Sequence, residues 1–205
     1  MRLILASASP RRAELLRLAG FTFDVSPADV DERVRSGEAP QDYVRRLAAE
    51  KSAAVLKQLG SDASEVVVLG ADTAVVVDGA ILGKPRDDAD AASMLQNLSG
   101  RAHEVLTGVS VRTGKAELGM VARTTVRFAP LSDLQIAEYV ASGEGQDKAG
   151  AYAIQGLASR FIPSIEGSYS NVVGLPVADV AELLSRLASG GESSYSQLDS
   201  SRKSL

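Results

Sequence analysis

The chain predicts an α/β fold with mixed strand directions. Short apolar runs of strand length recur at residues 3–6, 66–71 and 74–77, and residues 103–111 read as a further strand. Segments with the 3.6-residue apolar period alternate with them, at residues 10–19, 40–59, 88–98 and 177–187. Asp78-Gly79 lies between two apolar runs and signals a two-residue antiparallel hairpin, so the strands do not all run one way.

The length, 205 residues, suits one sizeable domain or one domain with two lobes. Apolar residues at 45% and charged residues at 23% are the proportions of an ordinary globular protein. The net charge of −4, the absence of Trp and 4% aromatics argue against a general nucleic-acid binder. No apolar run is long enough to span a bilayer, and Met1-Arg2 leads directly into a short strand, so the expectation is a cytoplasmic protein without membrane contact. With no Cys and a single His, a resident metal would have oxygen ligands, which favours Mg²⁺ or Mn²⁺.

The first strand feeds a turn, Ala6-Ser7-Ala8-Ser9, and then a helix in which Ser9 is the natural N-cap and Pro10 the first residue. Arg11 and Arg12 then sit in the first helical turn, where the macrodipole disfavours cations. An anion at that terminus would reverse the penalty, with backbone N–H groups, serine hydroxyls and two guanidinium groups converging on it. The other reading is a basic surface turn with the arginines paired locally, for example to Glu14. Residues 21–25 alternate as a strand, and an acidic loop follows with Asp29, Asp31 and Glu32. That loop either holds a metal, pairs with the early arginines or is simply solvated.

Pro40 opens a second helix that runs to about Leu59, with Val44, Leu47, Ala48 and Val55 as its apolar stripe. Lys51 projects from that same inward face, either snorkelling to the surface or reaching a buried anion. The most apolar segment, residues 66–71, reads as a central strand interrupted by Asp72-Thr73 and resumed at 74–77. A carboxylate in such a run is costly to bury unpaired, so Asp72 must meet a cation, a metal or several N–H donors. It is either a structural ion pair or a functional-site residue.

Asp87 or Asp88 caps a third helix, and residues 103–111 and 121–128 read as strands, the second with a polar face carrying Arg123, Thr125 and Arg127. His103 reads as structural. Ser132-Asp133-Leu134-Gln135 is a capping box opening a further helix. A glycine-rich loop, 143–150, leads into Tyr152 to Gln155, where it either wraps a ligand or merely connects. Phe161, Ile162 and Ile165 suggest a short strand, a final helix spans about 177–187, and the chain from 189 to 205 reads as a polar, disordered tail.

Four separated stretches, in order, resemble the Maf family of nucleotide pyrophosphatases over about residues 3–188. They are Leu5-Ala6-Ser7-Ala8-Ser9-Pro10-Arg11-Arg12; Leu69-Gly70-Ala71-Asp72-Thr73; Gly83-Lys84-Pro85; and residues 147–156, ending in Tyr152-Ala153-Ile154-Gln155-Gly156, with a continuation at 167–176. The resemblance implies a single domain over 1–188 with a Maf/ITPase-like fold, a mixed twisted sheet bent around a central cleft between two lobes. It implies hydrolysis of a nucleoside triphosphate to monophosphate and pyrophosphate with a divalent metal cation (Mg or Mn), in a homodimer. Gln155 stands where the subgroup acting on methylated guanine nucleotides has glutamate, so the segment is similar to that of the dTTP/UTP subgroup; an amide suits the mixed donor–acceptor edge of uracil or thymine. In that subgroup substrate choice is linked to residues matching Arg11, Thr73 and Gln155. Ala158-Ser159-Arg160 departs from a more glycine-rich run in relatives.

On this reading Asp72 is the general base and a metal ligand, and Glu32 a second ligand. Ser7, Arg11, Arg12, Lys51 and Lys84 bind the triphosphate, while Thr73 and Gln155 read the base or sugar. The alternative is a nucleotide-binding regulator of cell division without significant hydrolysis. A Rossmann-type oxidoreductase is disfavoured because the first turn lacks G-x-G-x-x-G.

Overall fold

The computed structural model describes residues 1–60 and 65–189. In chain order its elements are β1 (Arg2–Leu5), α1 (Pro10–Leu18), β2 (Asp24–Val25), α2 (Pro40–Leu59), β3 (Val66–Val77), β4 (Ala80–Leu82), α3 (Asp88–Leu98), β5 (Ala102–Arg112), β6 (Glu117–Arg127), α4 (Asp133–Ala141), β7 (Ser164–Glu166), α5 (Tyr169–Val173) and α6 (Val177–Ala188). Short 3-10 segments cover Ala149–Ala151 and Leu157–Phe161. The seven strands form a mixed sheet in the order β2-β1-β3-β5-β6-β7, with β4 beside β3. β1 is parallel to β2 and β3, whereas the β3/β4 and β6/β7 pairs are antiparallel. The α/β class with mixed strand directions is therefore as expected. Among the described residues no helix is long and apolar enough to cross a membrane. The polar tail expected at 189–205 lies, from residue 190 on, outside the described residues.

The chain divides into two compact units, one made of Met1–Asp72, Thr107–Ala122 and Gly174 onward, the other of Thr73–Leu106 and Arg123–Val173. In the first unit β3, β5 and the end of β1 are buried on both faces, as strands covered on both sides of a sheet are. Leu5, Val67, Leu69, Val109 and Val111 join Leu16 of α1 and Val180 and Leu183 of α6 in one cluster. Ile4, Ala6, Val66 and Val68 form another with Val55 of α2. The two-residue period of a strand then places Gly70 and Asp72 on the Val68 side, toward α2. The glycines let α2 come close. A Cβ at Gly70 would run into the Ala48 carbonyl, and one at Gly108 into the Val44 carbonyl.

The second unit is built on Val75, Val77, Leu95, Leu98, Val105, Val126, Phe128, Tyr139, Tyr152 and Phe161. Its hairpin is the one Asp78-Gly79 signalled: both residues have positive φ, 49° and 78°, and Val77 pairs with Ala80. Asp87 caps α3 by accepting from the Asp90 N–H, and the Ser132/Gln135 capping box is present in full. His103 is structural in its contacts. It is 3% exposed, its Nε2 lies 2.8 Å from the Tyr152 hydroxyl, and its ring packs edge-on against Phe128 and Tyr152. Burial pulls its pKa from 6.5 down to about 4. The unfolded chain takes up this proton near pH 6.5 but the folded chain resists until about pH 4, so the associated stability is full above 6.5 and is lost as pH falls toward 4. The loss amounts to about 3 kcal/mol. Denaturant titrations between pH 7.5 and 4 are expected to show that decline in the parent protein and a flatter profile in His103→Gln. An identical pH slope in both would contradict the assignment.

Three local expectations are corrected, and one short helix is added. The strand expected over 21–25 pairs only at Asp24–Val25, because Gly20 at φ +81° turns the chain and the Phe21 N–H closes the end of α1 onto the Leu16 carbonyl. Asp72-Thr73 does not interrupt the central strand; β3 runs unbroken from Val66 to Val77, the carboxylate being paired. Phe161 ends a 3-10 turn rather than a strand, since the Glu144 carboxylate accepts the N–H groups of Leu157 and Ala158 at its start. α5 was not anticipated; the Ser168 hydroxyl initiates it by accepting the Asn171 N–H, and Asn171 then donates to the Val105 carbonyl and the Thr124 hydroxyl from full burial.

Candidate functional site

The sequence-predicted residues of the first unit come together around Asp72 and Lys51. Asp72 is on the α2 side of β3, two residues after the glycine that admits the helix, and Lys51 is one turn on from Ala48, the residue that approaches that glycine. Their side chains meet at 2.7 Å, with side-chain exposures of 11% and 9%. Of the two readings of Lys51, the buried anion is the one realised. Glu32 reaches the same ammonium at 2.6 Å from the acidic loop. Burial pushes the Asp72 carboxyl above the usual carboxylate range, reinforced by the charge of Glu32 and opposed by Lys51 and Arg12. The result is a carboxylate more basic than an exposed one, kept ionised by a direct ammonium partner.

Arg12 is at the third position of α1, yet its guanidinium does not project into solvent. It is buried, with Nε donating to the Gly174 carbonyl at 2.8 Å and Nη1 to the Ala71 carbonyl at 2.9 Å and the Ser7 hydroxyl at 3.1 Å. Burial lowers its pKa and the Asp72 charge raises it, the first effect being larger. Arg12 thus ties the end of β1, the residue before Asp72 and the entry to α6 into one polar knot. Ser7 is buried too, its hydroxyl also accepting the Ser9 N–H at 3.2 Å. Ser9 is the N-cap residue, but its side chain makes no capping bond. Arg11 is half-buried at the second helical position.

Asp72 and Glu32 make a cation site, and Lys51 is the cation in it. Among the described residues there is no group of three or more His, Cys, Asp or Glu that could hold a metal ion. Mg²⁺ is commonly held by one or two carboxylates together with phosphate oxygens and water, so this pair fits such an ion in company with a polyphosphate.

Sequence reasoning missed the residues that hold the acidic loop. Tyr43, Arg46 and Glu50 form a second stripe on α2, beside the apolar one. The Tyr43 hydroxyl donates to the Glu32 carbonyl at 3.1 Å, and Arg46 holds Glu38 through two nitrogens at 2.5 and 2.8 Å. Burial and the Asp72 and Glu32 charges push the Tyr43 phenol up to about 12, so it remains a donor. The i, i+3, i+7 spacing of these residues was the available signal.

Thr73, Lys84 and Gln155 belong to the second unit. Thr73 is half-buried on β3. Lys84 is exposed after β4, next to Gly83, whose carbonyl accepts the Gly150 N–H at 3.0 Å. Gln155 is exposed on a loop pinned on both sides: the Ala153 N–H donates to the Tyr139 hydroxyl at 3.2 Å and the Leu157 N–H to Glu144 at 2.8 Å, while Tyr139 itself donates to Glu144 at 2.9 Å. A Cβ at Gly156 would strike the Glu144 carboxylate, which explains the glycine there.

The sequence model of a family described as Maf-like protein matches residues 2–187. The dTTP/UTP pyrophosphatase of Anaeromyxobacter dehalogenans (strain 2CP-C) is 56% identical over 189 residues, covering 90% of this chain and 93% of that protein. The dTTP/UTP pyrophosphatase of Shewanella oneidensis is 54% identical over 190 residues, 90% of this chain and 97% of that protein. Among solved structures, the Staphylococcus aureus Ham1 protein is similar at 15% sequence identity and a TM-score of 0.49, over 94% of this chain and 100% of that one.

Proposed function

The chain belongs to the Maf-like protein family, and from that premise we propose that it is a nucleoside triphosphate pyrophosphatase that hydrolyses dTTP and UTP to the monophosphate and pyrophosphate. The observation that carries the chemistry is the buried Asp72–Lys51 pair, with the half-exposed Glu32 carboxylate on the same ammonium. Asp72 accepts the proton of a water whose oxygen bonds to the α-phosphorus, while the bond from that phosphorus to the α–β bridging oxygen breaks and pyrophosphate leaves with the electron pair. The raised pKa supports this role, because a base loses little by being somewhat more basic than its surroundings require. Lys51 holds Asp72 in place and offers its ammonium to the developing charge on the phosphate oxygens. A divalent cation held by Asp72 and Glu32 would supply further neutralisation of that charge when bound. Arg12, engaged with carbonyl oxygens, fixes the backbone around Ser7 and Ala71, and the motif resemblance assigns Ser7, Arg11 and Arg12 to the phosphates. The motif resemblance extends the proposal to Lys84 as a phosphate ligand and to Thr73 and Gln155 as readers of the base or sugar. A cytoplasmic homodimer, with residues 1–188 as one catalytic domain, completes the reading.

The test is a panel of nucleoside triphosphates, with pyrophosphate release measured with and without Mg²⁺ or Mn²⁺. The expected outcome is turnover of dTTP and UTP above that of purine nucleotides, with monophosphate and pyrophosphate in equal amounts. Tight nucleotide binding without turnover would instead support a regulatory role.

A further inference from the structure

We infer that Arg46, with Glu38 and Tyr43, positions Glu32 for the reaction at the Asp72–Lys51 pair; this inference rests on the hydrolytic reading above. Glu32 is carried by residues 26–39, a long connection from β2 to α2 without helix or strand. Connections of that length in a compact domain are uncommon, and those that persist are usually functional. Left alone, such a segment would sample many conformations, and a carboxylate on it would spend little time against Lys51.

The structure shows what restrains it. The Arg46 guanidinium grips Glu38 in a fork, donates through Nη2 to the Arg33 carbonyl at 3.1 Å, and reaches Glu50 of its own helix through Nη1 at 3.2 Å. Glu38 also accepts the Arg35 N–H at 3.0 Å, and the Arg35 side chain comes back to Glu50 at 2.9 Å. Tyr43 holds the Glu32 carbonyl itself, with Arg46 packed 5.6 Å from the centre of its ring. The loop is therefore fastened at residues 32, 33, 35 and 38 to the helix that carries Lys51.

The distribution of burial points the same way. The Arg46 and Glu38 side chains are 12% and 9% exposed, whereas the Glu32 side chain they deliver is 55% exposed. A part-buried, forked ion pair holds in place a loop whose Glu32 carboxylate is open to solvent on one side and against Lys51 on the other. A fastening that served stability alone would have no need to present a half-exposed carboxylate at a buried ammonium. Arginine is required for it, because lysine cannot grip a carboxylate through two nitrogens and a carbonyl at once.

A double-mutant cycle with dTTP as substrate tests the role, using the parent, Arg46→Met, Glu32→Gln and the double variant. Arg46→Met is expected to lower kcat by about 10–100-fold with little change in KM, the effect of misplacing one reacting group. The double variant is expected to be no slower than Glu32→Gln alone, because the clasp has nothing left to position. Losses that multiply would overturn the inference, as would an Arg46→Met enzyme of parental kcat. Absence of turnover in the parent would overturn the hydrolytic reading as well, which distinguishes the two failures. Amide exchange gives the control for folding. In Arg46→Met, faster exchange confined to residues 29–38 supports the clasp, and faster exchange along the whole of α2 contradicts it.

Discussion

Asp72→Asn is expected to keep nucleotide binding and lose turnover by about three orders of magnitude. The substitution preserves shape and removes the ability to take a proton. It also removes a buried negative charge, so folding is expected to be little harmed: Lys51 retains Glu32 at 2.6 Å, and the amide oxygen still accepts its hydrogen bond. The separation of effects is the informative part. Calorimetric binding of dTTP near the parental affinity, together with a collapsed kcat, assigns Asp72 to the chemical step. Near-parental turnover would remove it from the mechanism, and loss of both binding and folding would make it a structural ion pair.

Lys51→Met is expected to be the most destabilising single change at the site, because it leaves Asp72 buried beside β3 without its ammonium. Breaking a buried pair from one side costs about 3–5 kcal/mol. The cost has a ceiling. The carboxyl can escape by taking a proton, which at pH 7 costs about 4 kcal/mol for a group of ordinary pKa. The expected loss in urea unfolding at pH 7 is therefore about 3–4 kcal/mol, shrinking as the pH is lowered and Asp72 protonates. Lys51→Met with Asp72→Asn is expected to recover most of it, since both charges are then gone. A Lys51→Met protein as stable as the parent would mean that the pair is not closed in solution. Turnover is expected to fall as well, because a protonated Asp72 is no base.

The two α2 glycine contacts show how much of this arrangement was legible. The helix bounds, the apolar stripe and the inward direction of Lys51 follow from a 3.6-residue period, and the structure has α2 at Pro40–Leu59 with Val44, Leu47, Ala48 and Val55 fully buried. Gly70 and Gly108, by contrast, lie inside the segments 66–71 and 103–111, which read simply as strands. Only the close approach of the Ala48 and Val44 carbonyls explains them, and that approach is a long-range fact. The same holds for Asp72: the sequence required a cation, a metal or several N–H donors for it, without choosing among them. Its position in an unbroken strand could not be read, because a carboxylate flanked by Thr resembles a loop when the pairing partner is remote.

Arg12 illustrates a different limit. Two adjacent arginines at a helix start read alike, yet one is buried among carbonyl oxygens and the other is half-buried. The helical rotation of about 100° per residue separates adjacent side chains onto different faces, and only the packing of β1, β3 and the entry to α6 determines which face is inward. The acidic loop was the least legible element. Its three carboxylates were noted as candidates for a metal, for the early arginines or for solvent, but the residues that restrain it are on α2. Asp31 in fact pairs with Arg33 in the same loop, and Glu32 turns toward the site.

The proposed reaction is attack of water on the α-phosphorus of a pyrimidine nucleoside triphosphate. It is tested most directly by hydrolysis of dTTP in ¹⁸O-labelled water, with the label located by mass spectrometry. One labelled oxygen is expected in the monophosphate and none in pyrophosphate. Label in pyrophosphate, or release of diphosphate nucleotide and inorganic phosphate, would contradict it.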